Sequence, residues 1–282
     1  MKKIGIYSNK HKDKKFTLGK EIIKWFNRLD ISPYVNFYVN SKEFDCTIVS
    51  DDYIFNDVDV IILLGGDGTL LSIARICAME GIPILGINLG TVGYLTYIEK
   101  SDVFEALEKF MAKDYRLDER LMLETNRKDS MGKLIALNDF VITKGVNTTV
   151  ISLDITINGT NLGVIRGDGL IVSTPTGSTA YNFSAGGPIL EPSSSTYVVT
   201  PICSQDIFFR PFVISSKDEV SVKVNYRSRN DVALIMDGRL VKNLEQNEEI
   251  TFSISSYKTK LIHIYDVNFF DVFKNKLSNA SY

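Results

Sequence analysis

Residues 166–187, RGDGLIVSTPTGSTAYNFSAGG, concentrate the residue types that bind polar ligands. The block contains five glycines and six Ser or Thr residues, with Arg166 and Asp168 at one end. Glycines let backbone amides approach a ligand closely, and hydroxyls supply short, directional hydrogen bonds to sugar or phosphate oxygens. The block is therefore a candidate binding loop for such a ligand. The alternative is a strand followed by a tight turn and a polar surface loop.

A second glycine cluster follows an apolar run. Residues 58–64, VDVIILL, predict a parallel strand covered on both faces, and GGDGT at 65–69 leads from it into the helical stretch 70–80. In an open parallel sheet, ligands bind beyond the carboxyl ends of the strands, which is where Asp67 lies. Amides at the start of the helix then favour a phosphate. The alternative is that Asp67 only caps the helix.

Other polar residues have two interpretations each. Asn138–Asp139 offers donor and acceptor groups suited to an adenine edge or to ribose hydroxyls, but Asn-Asp is also a common turn dipeptide. Asp168 repeats the Gly-Asp-Gly pattern of residues 66–68, so a hydroxyl-bearing ligand can reach it. Tyr181 is either a ring stacked on a base or a half-buried core residue. Asp237–Gly238 predicts a hairpin turn first and a ligand contact second.

Composition narrows the class of protein. The chain has 282 residues, 44% of them hydrophobic, which is enough for a full core and one large or two smaller domains. Its net charge of −2 gives no global attraction to nucleic acid or to an anionic membrane, so a phosphate ligand must be held by local groups. The N-terminus lacks a signal-type apolar region, and no apolar run is long enough to span a bilayer. We expect a cytoplasmic protein.

Cysteine and histidine offer no metal or disulfide framework. Cys46, Cys77 and Cys203 are far apart, odd in number and without CxxC spacing. His11 and His263 are equally isolated. We therefore expect no metal site built from protein residues.

The elements that position these residues divide into two patterns. The first hundred residues alternate strand-like and helix-like segments, which predicts a Rossmann-like α/β layer. After a helix near 103–111, period-two segments broken by turns such as DSMGK and NGT predict a β-rich, multi-sheet part with hairpins. The tail returns to helical spacing and is predicted to fold back onto the first domain, with an apolar face made by Phe269, Phe270, Phe273 and Leu277. The predicted domains are residues 1–100 with 265–282, and residues 101–264.

Taken together, the motifs strongly resemble those of the NAD kinase family, the ATP-dependent enzymes that make NADP. They follow the family's order from about residue 58 to the C-terminal helix. GGDG by itself is shared with diacylglycerol-type lipid kinases and phosphofructokinases, whereas the TPTGSTAYN block is highly specific. The matching segments are GGDGT at 65–69, GINLGTVGYLT at 86–96, ND at 138–139, RGDGLIVSTPTGSTAYNFSAGGPI at 166–189, TPIC at 200–203 and DG at 237–238.

The resemblance implies phosphorylation of the 2′-hydroxyl of the adenosine ribose of NAD, with ATP as donor. It makes Asp67 the general base and puts Gly65, Gly66, Gly68 and Thr69 at the donor phosphates. It implies a homodimer or homotetramer. Magnesium is expected on the donor phosphates, because the chain offers few basic residues near the motifs. The remaining residues implied for NAD binding, beside Gly66, Asp67 and Gly68, are Tyr94, Leu95, Asn138, Asp139, Arg166, Asp168, Thr174, Thr179, Ala180, Tyr181, Asn182, Ser184 and Arg239.

Within that set the resemblance separates several roles. Asn138–Asp139 would bind the adenosine part, and residues 179–184 would line the adenine and nicotinamide pockets. Arg166 and Asp168 would lie by the second ribose and diphosphate or by a neighbouring subunit. Two departures from the family pattern affect donor preference and affinity. Ser204–Gln205 replaces a Pro-His pair found in many members after TPIC, and Arg239 replaces the Gln of DGQ.

Two other functions remain open from the sequence alone. A diacylglycerol-type lipid kinase would share GGDGT, but it would leave the TPTGSTAYN block without a role. A non-enzymatic NAD sensor would need the binding residues, but it would have no use for Asp67. Formation of NADP from NAD, ATP and magnesium separates the three functions. The sequence does not decide between ATP and polyphosphate as donor, nor does it decide the use of NADH or inhibition by NADP.

Overall fold

A computed structural model describes residues 3–90, 93–145, 149–225 and 232–279. The chain forms two compact units, Met1–Glu119 with Lys258–Tyr282, and Arg120–Tyr257. These boundaries differ from the predicted 100 and 264. The first boundary lies after Glu119 instead of residue 100, because the helix that begins at Val103 buries its apolar face in the core of the first unit. A change of hydrophobic period marks where the type of element changes, not where packing changes.

The elements are numbered in chain order. The helices are α1 (Thr17–Asn27), α2 (Asp67–Glu80), α3 (Val103–Met111), α4 (Tyr181–Ser184) and α5 (Phe269–Asn279). The strands are β1 (Ile4–Ser8), β2 (Tyr34–Val35), β3 (Thr47–Ile48), β4 (Val60–Gly65), β5 (Ile84–Asn88), β6 (Arg116–Asp129), β7 (Gly132–Ala136), β8 (Asp139–Lys144), β9 (Ile151–Ile157), β10 (Thr160–Gly167), β11 (Gly169–Ser173), β12 (Thr196–Ile202), β13 (Phe212–Ser215), β14 (Val220–Val224), β15 (Val232–Met236), β16 (Arg239–Leu244) and β17 (Glu249–His263).

In the first unit a parallel sheet has the strand order β5-β4-β1-β2-β3. Every residue of β4 is buried, as the continuous apolar run predicted. Helices α1 and α3 bury apolar faces in the same core as these strands. The adjacent strands β1, β4 and β5 end at Ser8, Gly65 and Asn88, so the segments that follow them share one edge of the sheet. The α/β prediction for this unit is confirmed.

The C-terminal helix α5 belongs to the first unit, as predicted. The Phe269 ring lies 6.4 Å from the ring of Tyr94, and the Lys276 ammonium lies 4.5 Å from the centre of that same ring. Val272 is buried. The side chain of Leu277 lies outside the described part of the chain. None of the helices in the described ranges combines the length and apolarity that crossing a bilayer requires.

The second unit is built from antiparallel sheets around one core. One sheet has the order β13-β12-β11-β8-β15-β16, and the other brings β10, β9, β14, β17, β6 and β7 together. Side chains from both sheets, including Phe140, Tyr197 and Phe252, form a shared apolar cluster. This arrangement confirms the β-rich prediction for the second part of the chain.

The hairpins predicted at DSMGK, NGT and Asp237–Gly238 all form. The Asn138–Asp139 pair lies at the junction of two strands. Strand β7 ends at Ala136, and Asp139 begins β8. The apolar run LIAL continues to Leu137 without marking the break, because both sides of it are buried.

Candidate active site

Asp67 lies where the parallel sheet meets helix α2. Gly65 ends β4, Gly66 is extended, and Asp67 is the first residue of the helix. The backbone N–H groups of Asp67 and Gly68 have no acceptor among the described residues, and Gly68 is exposed. Because a helix N-terminus carries a partial positive charge and free N–H groups, this edge favours an anion.

The Asp67 carboxylate does not cap its own helix. Its Oδ2 accepts the backbone N–H of Tyr94 at 2.7 Å. Its Oδ1 accepts the N–H groups of Leu95 and Thr96, both at 3.2 Å, and the Thr96 hydroxyl at 3.1 Å. The carboxylate is therefore fixed by the turn after β5, which rules out simple capping of α2. Since Oδ2 receives one hydrogen bond, it retains capacity to accept another from a ligand hydroxyl.

Gly93 makes room for this carboxylate. A Cβ atom on Gly93 would lie 1.8 Å from Asp67 Oδ1, a distance that no side chain can occupy. Gly93 belongs to the predicted motif at 86–96 but was absent from the predicted site residues. Only the packing of Asp67 against the turn reveals its role. Residues 91 and 92 of that motif lie outside the described ranges.

Gly65 and Thr69 of GGDGT pack against other protein atoms. A side chain at Gly65 would meet Thr69 Cβ and Oγ1 at 2.6 Å, and Thr69 itself is buried. The Thr69 hydroxyl accepts a hydrogen bond from the Asn9 amide at 2.8 Å. Gly65 and Thr69, which were predicted at the donor phosphates, thus hold the loop against β1. Gly68 has no neighbour within 4 Å of its Cβ position and is open to a ligand.

Lys12 is a cation at this edge that the sequence reasoning missed. Its ammonium would lie 2.6 Å from a Cβ placed on Gly66 and 3.5 Å from one on Gly90. Lys12 follows β1, more than fifty residues before GGDGT, and no motif marks it. Few basic residues lie near the motifs in the sequence. The order of the strands in the sheet brings Lys12 beside GGDGT.

The second unit gathers three separate motifs at one end of its sheet. Antiparallel pairing sets Ser173 of β11 opposite Asp139 of β8, and Phe140 opposite Met236 of β15. The Asp237 carboxylate accepts the backbone N–H groups of Leu137, Asn138 and Asp139 at 3.0, 2.7 and 3.2 Å. Asp237 was predicted as a turn residue, and the structure adds that it fixes the backbone of the Asn138–Asp139 pair.

Asp139 is a buried carboxylate without a partner. It is 4% exposed, and neither it nor the Asn138 side chain makes a hydrogen bond within the described residues. Burial, and then the nearby Asp237, raise the pKa of Asp139 to about 7. Burial also raises the pKa of Asp237 to about 6, an effect opposed by the three N–H donors and by Arg239. A ligand that donates hydrogen bonds to Asp139 would stabilise its ionised form.

Most hydroxyls of the 173–187 loop are used inside the protein. Ser173, Thr174 and Ser178 are fully buried. Thr174 donates to the Leu137 carbonyl at 2.6 Å and accepts the Gly177 N–H at 3.0 Å. Asn182, also fully buried, donates to the carbonyls of Ser178 and Pro188 and accepts the Thr200 hydroxyl at 2.6 Å. Thr174 and Asn182, both predicted to bind NAD, have their polar atoms engaged in shaping the loop.

The glycines of this block are required by close packing with protein atoms. A Cβ at Gly177 would lie 2.2 Å from the Asn138 carbonyl oxygen, and one at Gly187 would lie 1.9 Å from Asn182 Oδ1. At Gly169 it would meet the Ile142 carbonyl oxygen at 2.2 Å. The interpretation that these glycines let amides approach a ligand is therefore replaced by one in which they let segments of the unit approach each other.

The exposed members of the loop are free to meet a ligand. Tyr181 is 45% exposed, and its ring stacks on no other ring of the described residues. Ser184 is exposed, and Thr179 and Ala180 are partly exposed. These four residues lie on or next to the short helix α4, which begins at the end of the sheet where Asp139 lies.

Arg166 and Asp168 lie at the opposite end of β11. The five residues of that strand span about 13 Å at roughly 3.3 Å per residue, so this pair is separated from Asp139 by that length. Asp168 forms a 2.7 Å ion pair with Lys144. Arg166 is exposed, and its backbone bonds to Gln205 and Asp206 place the departure at 204–205 beside it. Arg239 is exposed at the start of β16.

No group of three or more His, Cys, Asp or Glu side chains in the described ranges could hold a metal ion. The charged groups beside Gly66 are therefore the Asp67 carboxylate and the Lys12 ammonium. The edge of the first unit provides a fixed carboxylate and anion-favouring amides, which can orient a hydroxyl, accept its proton and hold phosphate. In the second unit, the Asp139 end of the sheet provides an unpartnered carboxylate that can accept hydrogen bonds from a ligand.

Comparison with known proteins agrees with this chemistry. The family model described as the ATP-NAD kinase N-terminal domain matches residues 10–115, and the model for the ATP-NAD kinase C-terminal domain matches residues 137–264. An NAD kinase of Thermoanaerobacter sp. (strain X514) is 36% identical over 287 residues, covering 99% of each chain. An NAD kinase of Geobacter sp. (strain M21) is 34% identical over 284 residues, covering 98% of each.

Two solved structures share the fold. Yeast NADH kinase complexed with NADH superposes with a TM-score of 0.81 at 24% identity, covering all of this chain and 89% of that one. An NAD kinase from Archaeoglobus fulgidus in complex with ATP gives a TM-score of 0.76 at 25% identity and 98% coverage of both chains. Both domain models match in their expected order, and more than a third of the residues are identical to those of a relative over the full length. This chain therefore belongs to the NAD kinase family and is a kinase.

Proposed function

We propose that Asp67 is the general base in the transfer of the ATP γ-phosphoryl group to the 2′-hydroxyl of the adenosine ribose of NAD, which yields NADP. The observation that carries this assignment is the fixed carboxylate. Four donors from residues 94–96 hold it, while Oδ2 receives only one of them. A rigid acceptor at a helix N-terminus can orient a hydroxyl without reorganising during the reaction.

The proposed step balances in a simple way. The 2′-oxygen forms a bond to the γ-phosphorus, the bond from that phosphorus to the β-bridging oxygen breaks, and ADP leaves. Asp67 Oδ2 accepts the proton of the attacking hydroxyl. A positioned carboxylate base contributes about 10² to 10⁴ in rate. The remaining acceleration comes from alignment and from charge neutralisation, since phosphoryl transfer needs little covalent chemistry from the protein.

The acceptor's adenosine is assigned to the Asn138–Asp139 pair. Asp139 is buried without a donor, so ribose hydroxyls or the adenine amine would satisfy it. Asn138 supplies both a donor and an acceptor. Among the loop residues, Thr179, Ala180, Tyr181 and Ser184 are assigned direct contacts because they are exposed, and Thr174 and Asn182 are assigned to shaping the loop.

Other assignments follow from position. Tyr94 and Leu95 meet NAD beside Asp67. Gly66 and Gly68 are assigned to the donor phosphates, where the free N–H groups of Asp67 and Gly68 face the phosphate oxygens. Arg166 and Asp168 suit the distal part of NAD or a neighbouring subunit, as predicted. Arg239, which neighbours Asp237, is assigned an outer contact with NAD. We further propose a cytoplasmic homodimer or homotetramer.

Mg²⁺ is assigned to the donor phosphates. Mg²⁺ often binds through substrate phosphates and water, so the phosphates of the donor can supply its ligands. When bound, it would neutralise charge on the phosphates. The chain's own contribution is the backbone N–H groups of Asp67 and Gly68 and the carboxylate of Asp67.

The test is NADP formation from NAD, ATP and Mg²⁺, followed with a coupled dehydrogenase. Asp67→Asn is expected to keep less than about a tenth of wild-type turnover, because the amide nitrogen cannot accept a proton. NAD affinity, measured separately by calorimetry, is expected to stay within a few fold. A variant that retains more turnover than this would overturn the base assignment. A wild-type protein without NADP formation would overturn the proposed reaction.

A further inference from the structure

A cavity of about 1330 Å³ opens at the carboxyl edge of the parallel sheet, within the first unit. It exceeds the roughly 300–1,000 Å³ typical of ligand pockets and has room for a nucleotide. Its lining includes four lysines, Lys12, Lys14, Lys100 and Lys276, against the acidic Asp13 and Glu99.

One of the two acids is already engaged. The Asp13 carboxylate is buried and accepts the N–H groups of Leu18 and Gly19 at 3.1 and 3.0 Å, together with the Ser8 hydroxyl at 3.2 Å. It therefore neutralises the start of α1 and leaves the lysines an excess of positive charge in the cavity. Of these four lysines, Lys12 lies beside Gly66 and Gly90, and no carboxylate of the described residues pairs with its ammonium.

Asn88 supplies an independent sign of a ligand. It ends β5, lines the cavity and is only 3% exposed. Its Oδ1 accepts the Gly90 N–H at 2.9 Å, whereas its Nδ2 has no acceptor. A buried amide donor without an acceptor costs free energy unless a bound group supplies one. Asn88 Oδ1 lies 3.6 Å from the Cβ position of Gly66, the same position that Lys12 Nζ approaches.

We propose that Lys12 and Asn88 form the subsite that holds the phosphate chain of the phosphoryl donor, with Lys276 of α5 adding a cation to the same cavity. This inference rests on the proposed function and assigns residues to its donor side. The excess of lysines, spaced around a cavity too large for one phosphate, matches a ligand whose charges are spread along a chain. A nucleoside triphosphate and inorganic polyphosphate share that chemistry.

Binding measurements on the full chain test this directly. Calorimetric titrations with ATP and with inorganic tripolyphosphate, both with Mg²⁺, would be run on the wild type, Lys12→Gln and Asn88→Asp. Lys12→Gln removes the charge from an exposed side chain and should not affect folding. Asn88→Asp keeps the oxygen that receives the Gly90 N–H and removes the donor. Lys10→Gln is the matched control, because Lys10 is exposed on the same loop but does not line this cavity.

Each site variant is expected to weaken ATP binding by about tenfold or more, and the control by less than about twofold. KM for NAD should stay within about twofold of wild type in Lys12→Gln. If tripolyphosphate and ATP lose affinity equally, the subsite binds the phosphate chain without the nucleoside. If only ATP loses affinity, the nucleoside is required. Unchanged affinity of Lys12→Gln for both probes would overturn the subsite. Because binding is measured without turnover, this result is independent of whether wild type forms NADP.

Discussion

Asp237 and Asp139 are two carboxylates held together although both carry negative charge when ionised. Asp237 Oδ1 accepts the Asp139 backbone N–H at 3.2 Å, and the Asp139 carbonyl accepts the Asp237 N–H at 3.0 Å. Burial, and then the negative charge of Asp237, raise the pKa of Asp139. In the ligand-free protein the ionised form of Asp139 is therefore unfavourable, as expected of a carboxylate that binds a ligand.

Asp139→Ala should raise KM for NAD by about ten- to a hundredfold, since a charged hydrogen bond contributes roughly 1.5–3 kcal/mol. KM for ATP should change little, because the substitution leaves Lys12 and Asp67 untouched. Initial-rate titrations of both substrates check this. A raised KM for ATP with an unchanged KM for NAD would assign the pair to the donor site.

Asp139→Asn should stabilise the ligand-free protein at neutral pH. A carboxyl whose folded pKa is raised to about 7 from the ordinary 3.8 binds more protons when folded, so wild-type stability falls as pH rises between those values. The gain in the free energy of unfolding should be small near pH 4 and should level off above pH 7. We expect at least about 1.4 kcal/mol there, the equivalent of one pKa unit. Urea unfolding at three pH values measures it, and a gain independent of pH would contradict the prediction.

Asp237→Asn should weaken NAD binding indirectly, because it loosens the backbone of the Asn138–Asp139 pair that is proposed to bind adenosine. The amide nitrogen would face one of the three backbone N–H groups that the carboxylate now accepts. KM for NAD should rise by about tenfold, with KM for ATP unchanged. Asp129→Asn, at the exposed turn between β6 and β7, is the control. A parallel rise of both KM values would indicate general damage rather than positioning.

Gly93→Ala should lower turnover by about a hundredfold or more, because its Cβ would displace the Asp67 carboxylate. The effect should depend on that carboxylate. In an Asp67→Ala background, which removes it, adding Gly93→Ala should change turnover little, and this non-additivity is the measurement. Additive losses would show that Gly93 acts independently of Asp67.

Gly177→Ala should reduce the free energy of unfolding by about 1–3 kcal/mol or more, as overpacking against a fixed carbonyl does. The Asn138 oxygen, 2.2 Å from the added Cβ, belongs to a backbone that Asp237 also holds. Gly68→Ala, with open space at its Cβ, should leave thermal stability unchanged. Similar melting temperatures for the two variants would remove the packing explanation for Gly177.

The sequence by itself determined the secondary structure around the site and the position of Asp67. A short apolar run that ends in glycines is typical of a covered strand that leads into a turn, so β4, α2 and the edge location of Asp67 followed from the local pattern. The hairpins followed from turn residues, and the family followed from motif order. These are local properties, which neighbouring residues in the chain specify.

Tertiary structure decided which residues meet. Lys12 and Asn88 lie at one edge because β1 and β5 flank β4, an order that no local pattern specifies. Asp237 supports Asn138 from about a hundred residues away through strand pairing. The buried hydroxyls of Thr174 and Ser178 look in the sequence like those of a ligand loop, because composition does not show which partner a hydroxyl finds. Burial makes that choice, since polar groups removed from water must bond within the fold.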